Sequence, residues 1–216
     1  MAERRSDIET TVIEVFADIV CPFTHVGLRR FVERRRRDGR DDVVLWVRSW
    51  PLELVNGVAL AADFVADEIV ELRAVAAPDL FRGFSADTFP ATSMPALSLV
   101  ASAYEVSVTV GESVSLAVRD RLFEDGLDVE DPASLRELAD RFGVPHSDPD
   151  ATRARVIADL DEGRARGVIG SPHFFTPRGD FFCPALDVSR DADGHLHVAA
   201  DPAAFDAFVD TCFETD

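Results

Sequence analysis

The chain has no lysine; all 22 of its basic residues are arginine. That absence excludes Schiff-base chemistry, pyridoxal phosphate attachment and the lysine of a phosphate-binding loop. Long apolar runs are missing too, and nothing approaches the roughly 20 residues that cross a bilayer. The opening Met1-Ala-Glu-Arg-Arg-Ser-Asp-Ile8 is polar, without the apolar core of a secretory signal. Cysteine is scarce and odd in number, at three, which makes no disulfide framework. Positive charge is in deficit: 40 acidic against 22 basic side chains leave a net charge of -18. Repulsion from phosphate then argues against nucleic acid and anionic membrane as partners. The expectation is a soluble, cytoplasmic protein whose thiols are reduced.

What is present suffices for a core, with 47% hydrophobic and 29% charged residues. Val12 to Ala17 reads as a buried strand, and a helix is expected from Cys21, with Pro22 in its first turn, to a Gly39 cap. The run Arg34-Arg-Arg-Arg37 is expected to be a solvated helix end complementing the dipole. Val43 to Val47 is a second strand, giving a βαβ unit with a parallel pair. Helical spacing follows at Phe64, Val65, Glu68, Ile69 and Leu72, then at Leu97, Val100, Ala101 and Tyr104, then at Val114, Val118 and Leu122. Asp131-Pro132 and Asp148-Pro149 mark two more helix starts, ending near Gly143 and Gly167. His173 to Thr176 and Phe181 to Cys183 flank the turn sequence Pro177-Arg-Gly-Asp180 and read as a hairpin. Val188 and His195 to Val198 flank a second turn, Asp191-Ala-Asp-Gly194, and Asp201-Pro202 caps a last helix. We therefore divide the chain into a discontinuous α/β domain, residues 1–57 and 167–216, and an all-helical insertion, residues 58–166.

Cys21 is the first chemical candidate. A cysteine at a helix start meets the positive end of the dipole and unpartnered N–H groups, which favour thiolate. Thr24 can offer its hydroxyl to the sulfur, and a protonated His25 would add charge. The bland alternative is a buried, inert cysteine. The second candidate is Gly170-Ser171-Pro172 at a strand's entry, where a cis peptide would turn the Ser171 backbone outward at the sheet end.

Together these segments resemble the DsbA-like proteins of the thioredoxin-fold family, in their FrnE-like branch. Relatives of that branch are the 2-hydroxychromene-2-carboxylate isomerases and kappa-class glutathione transferases. Cys21-Pro22-Phe23-Thr24 is similar to the family's Cys-Pro-x-Cys segment, and Ser171-Pro172 to its cis-proline loop. The helical block and Arg48-Ser-Trp-Pro-Leu-Glu-Leu54 also fit the pattern. The resemblance implies a thioredoxin-like fold with an all-helical insertion domain. It also implies that Cys21, Thr24 and Pro172 act in catalysis, while Pro22, Phe23, His25, Ser171 and His173 contact substrate. The sequence departs from it at Thr24, where redox members carry a second cysteine. The motif can form a mixed disulfide but cannot close an internal one.

The function expected is a monothiol thiol–disulfide oxidoreductase acting on a disulfide of a protein or small molecule. No bound cofactor is expected; glutathione or another low-molecular-weight thiol would be co-substrate. Cys183 and Cys212 could resolve Cys21 only if folding brings them close, and burial is the default for both. The alternative is a glutathione-like thiol-dependent isomerase or transferase, with Phe64, Phe81, Phe84 and Phe89 lining an apolar pocket in the insertion. A non-enzymatic binding module is the third reading. No metal site is expected, since Cys21 and His25 supply only two ligands and Ala200 replaces the Glu of a calcium loop. Apolar surface on the insertion could support a homodimer.

Overall fold

Thr11–Ala17 (β1) is apolar and β-branched because it lies inside the sheet, with Ile13, Val15, Phe16 and Ala17 fully buried. The computed structural model describes residues 10–191 and 196–214. The helix Pro22–Arg37 (α1) leads to Val43–Ser49 (β2), which pairs in parallel with β1. After the helical segment, His173–Thr176 (β3) returns antiparallel to β1, and Gly179–Phe182 (β4) pairs with β3, for an order β2-β1-β3-β4. The turn is shorter than its sequence suggests. Gly179 and Asp180 belong to β4, paired with Thr176 and Phe175, while Cys183 leaves the strand with φ 46°.

Between the halves lie Leu52–Val55 (α2), Ala62–Val75 (α3), Met94–Val106 (α4), Val108–Phe123 (α5), Pro132–Phe142 (α6) and Pro149–Ala165 (α7). The two Asp-Pro starts cap as read: Asp131 accepts from the Ala133 and Ser134 amides, and Asp148 from the Asp150 amide. Gly143 ends α6 in the left-handed conformation. Leu186–Arg190 (β5) and Leu196–Ala200 (β6) form a separate two-stranded sheet, and Pro202–Phe213 (α8), capped by Asp201, follows. The turn proposed between those strands falls mostly on residues 192–195, His195 included, which lie outside the described residues.

Three apolar clusters hold these elements. One face of the sheet packs Ile13, Val15 and Phe174 against Leu28 and Phe31 of α1 and Phe208 of α8. The other packs Phe16 against Trp50, Leu160 and Val168. The third joins α3 to α7 and draws in Val20, Val26, Cys183 and Leu186 from outside the helical segment. Helices also close the free edge of β2. The Tyr104 hydroxyl accepts from the Val47 amide (2.8 Å) and donates to the Leu45 carbonyl (3.0 Å), while Glu112 accepts from the Leu45 amide (3.0 Å). Gly111 makes this approach feasible, since a Cβ there would stand 2.2 Å from the Tyr104 ring.

The basic run departs from expectation in its first half. Arg34 pairs with Asp38 and Asp206, and Arg35 reaches Glu112 (2.6 Å) and the Val43 carbonyl (2.8 Å). Arg36 and Arg37 remain exposed. Among the described residues no helix is long and apolar enough to cross a membrane.

Candidate functional site around Cys21

Cys21 is the N-cap residue of α1, in extended conformation, and Pro22 occupies the first turn, where a missing N–H costs nothing. The Ser171–Pro172 peptide is cis and lies against this helix start. Ser171 is the hub of the junction. Its carbonyl accepts the Cys21 thiol at 3.1 Å, and its hydroxyl accepts from the Asp18 amide at 2.9 Å. The same hydroxyl meets Thr24 Oγ1 at 2.8 Å. Four residues named from the sequence, Cys21, Thr24, Ser171 and Pro172, are thus brought together from opposite ends of the chain. The Ser171 backbone does not face outward as expected, because its carbonyl is taken by the thiol.

The ionisation expected of Cys21 is corrected by its surroundings. The residue is only 3% exposed, and burial raises the thiol pKa above its ordinary value. Hydrogen bonds from Thr24 and Ser171 work the other way, and the charge of Glu68 on α3 adds to the rise. A helix terminus contributes about 0.3–1 kcal/mol to a nearby charge, which loss of hydration readily exceeds. The geometry agrees: a sulfur donating to a carbonyl oxygen is a thiol.

The two histidines go elsewhere. His25 is 1% exposed, and its Nε2 lies 2.7 Å from Glu124 Oε1 while its ring packs between Phe81 and Phe123. Burial lowers its pKa, so it is a neutral imidazole donating to a carboxylate, not a cation beside the sulfur. Burial alone would raise Glu124, but His25 and the amides of Phe81 and Arg82 outweigh it and hold the acid at about 2. His173 Nδ1 accepts from the Ile169 amide (3.2 Å), so Nε2 donates to Asp180 (2.9 Å). The ring stacks on Phe175 and braces the loop before Pro172. Pro22 is buried, and Phe23 is half-buried against the helical cluster.

The other cysteines differ in position. Cys212, on α8, lies in the cluster that packs α8 and α1 against the sheet, its thiol pushed up to about 12 by burial. Cys183 belongs to the junction: its amide donates to the Pro172 carbonyl at 3.0 Å.

Sequence reading missed a buried acid and a buried arginine behind the site. Asp18, fully buried, receives the Leu52 amide (2.6 Å) and the Val20 amide (3.3 Å), and Arg119 of α5 donates to its backbone carbonyl at 3.0 Å. Burial raises the Asp18 pKa and depresses that of Arg119 to about 10. The available signal was an acid interrupting the apolar run before Cys21.

The helical segment contains a cavity of about 620 Å³ whose lining includes Met94, Leu99, Leu135, Arg136 and Arg153. Glu53 and Thr92 line both it and a small neighbouring cavity that reaches Asp18. The phenylalanines expected there are elsewhere. Phe81, Phe84 and Phe89 pack in the aromatic core, Phe89 also bordering the small cavity, and Phe64 is 42% exposed. Among the described residues no three His, Cys, Asp or Glu side chains converge on a metal position.

This architecture is that of the DsbA-like thioredoxin fold. A probable DsbA oxidoreductase of Streptomyces coelicolor superposes with TM-score 0.62 at 22% identity, covering 95% of this chain and 92% of its own. The cytosolic disulfide reductase DsbM of Pseudomonas aeruginosa does so with TM-score 0.54 at 14% identity, covering 93% and 97%. A 2-hydroxychromene-2-carboxylate isomerase gives TM-score 0.56 at 12% identity, covering 79% and 88%. No protein-family model and no curated protein matches the sequence.

Proposed function

We propose that the protein is a thiol–disulfide oxidoreductase with Cys21 as nucleophile. The observation that carries this reading is the Cys21 thiol at a helix start, 3.1 Å from the carbonyl of the Ser171–Pro172 peptide. Solved structures of this fold include a cytosolic disulfide reductase, also seen with GSH, which supports the reaction class and a glutathione-type partner in a reducing compartment. Cys21 attacks one sulfur of a substrate disulfide, the other sulfur leaves with the electron pair, and a mixed disulfide remains. With Thr24 where a second thiol would stand, the motif is monothiol and an external thiol completes the cycle. Because only thiolate attacks, burial makes the reactive form a minority at neutral pH.

The test is turnover of bis(hydroxyethyl) disulfide with glutathione as reductant. Cys21→Ser should lose more than about tenfold of the rate, while Cys212→Ala should keep it. Turnover indifferent to Cys21→Ser would overturn the reading.

A second reading, thiol-dependent isomerisation or transfer on an apolar small molecule, draws on the cavity that Glu53 and Thr92 link toward Asp18. It predicts retention on immobilised glutathione together with no disulfide turnover.

A further inference from the structure

We infer that Cys183 is the second thiol of this site, able to displace the substrate sulfur from Cys21 by closing a Cys21–Cys183 disulfide. The inference rests on Cys21 being the nucleophile, as proposed above. Both cysteines are anchored to the same two-residue loop: the Cys21 thiol on the carbonyl of Ser171, and the Cys183 amide on the carbonyl of Pro172. Both are buried. Cys183 packs in the cluster that holds Val20 and Val26, which flank Cys21 before α1 and one turn along it. The charge of a Cys21 thiolate also adds to the burial that raises the Cys183 thiol.

The backbone singles out Cys183 as well. Its φ of 46° is a left-handed conformation uncommon for a residue with a Cβ, one of two such non-glycine residues described, with Phe81. Such conformations are held against their intrinsic preference and concentrate at functional sites. The strain here coincides with the point where the chain leaves β4 beside Pro172.

The chemistry balances. Cys183 gives up its proton and its sulfur attacks Cys21 Sγ. The bond from Cys21 to the substrate sulfur breaks, and that sulfur leaves with the electron pair and takes up a proton. Over both steps the two cysteines supply two electrons, reducing one substrate disulfide to two thiols. Two equivalents of a glutathione-type thiol then reduce the Cys21–Cys183 bond and become its disulfide.

The experiment treats fully reduced protein with a small excess of glutathione disulfide, removes free thiol, and follows intact mass and cysteine-linked peptides. Wild type should lose the mass of two hydrogen atoms and yield a Cys21–Cys183 cross-linked peptide, a result that needs no variant. Cys183→Ser should instead hold one glutathionyl group on Cys21, for at least about tenfold longer than wild type. An adduct on Cys21 equally long-lived in both proteins would overturn the inference and leave the proposed function standing. Neither adduct nor cross-link in either protein would overturn both.

Discussion

A thiol at a helix start experiences two opposed influences, the dipole drawing out its proton and the loss of water holding it on. At Cys21 dehydration is the larger, since the residue is almost wholly buried, with Ser171 against its sulfur and Thr24 on Ser171. Alkylation of Cys21 by iodoacetamide should therefore show a midpoint above the ordinary thiol range, with Cys21→Ser as blank. Thr24→Val, which removes a hydroxyl that favours thiolate, should move that midpoint higher still. A midpoint below pH 8 would contradict the burial described. The meeting of Cys21 with the Ser171-Pro172 peptide was legible from Cys21-Pro22 and Ser171-Pro172 alone. The ionisation of Cys21 was not, because the thiol is buried by parts of the chain far from it and feels Glu68 of α3, 47 positions further along.

At the level of elements, Asp-Pro pairs located α6, α7 and α8 because capping is decided within three or four residues. Asp131→Ala should cost about 1 kcal/mol in urea denaturation, since its carboxylate holds two amides of the first turn. Contacts across the fold left no such local trace. Nothing near Tyr104 announced that its hydroxyl closes the edge of β2, and its helical spacing suggested only packing. Tyr104→Phe should lower stability by about 1–3 kcal/mol, because the Val47 amide and Leu45 carbonyl lose their partner in a buried place. An unchanged urea midpoint would mean that water reaches that edge. The hydrogen bond of His173 was hidden for the same reason: its partner Asp180 was assigned to a turn, whereas it pairs within β4.

For the whole molecule, three buried thiols set the alkaline limit. Burial raises all three pKa values, so between about 8.5, the unfolded value, and the folded values the native state binds more protons than the unfolded. Stability is therefore full below about pH 8.5 and falls as pH rises, by up to about 2 kcal/mol at pH 10 for Cys212, whose folded value is about 12. Urea unfolding under reducing conditions should show this fall, and Cys212→Ala should flatten it. The order of strands, a run of helices and strands again was readable from the change of hydrophobic period. The dependence of one on the other was not, since Arg119 from the helices donates to Asp18 directly behind the thiol. That arrangement bears on how the protein is made. Cys21 and Ser171 are 150 positions apart, and at about 5–20 residues per second a ribosome needs roughly 8–30 s to synthesise the intervening chain. Throughout that interval the nascent sulfur lacks the Ser171 carbonyl and hydroxyl that enclose it in the folded protein, so it meets cellular oxidants with that side open until only the last fifth of the polypeptide remains to be made.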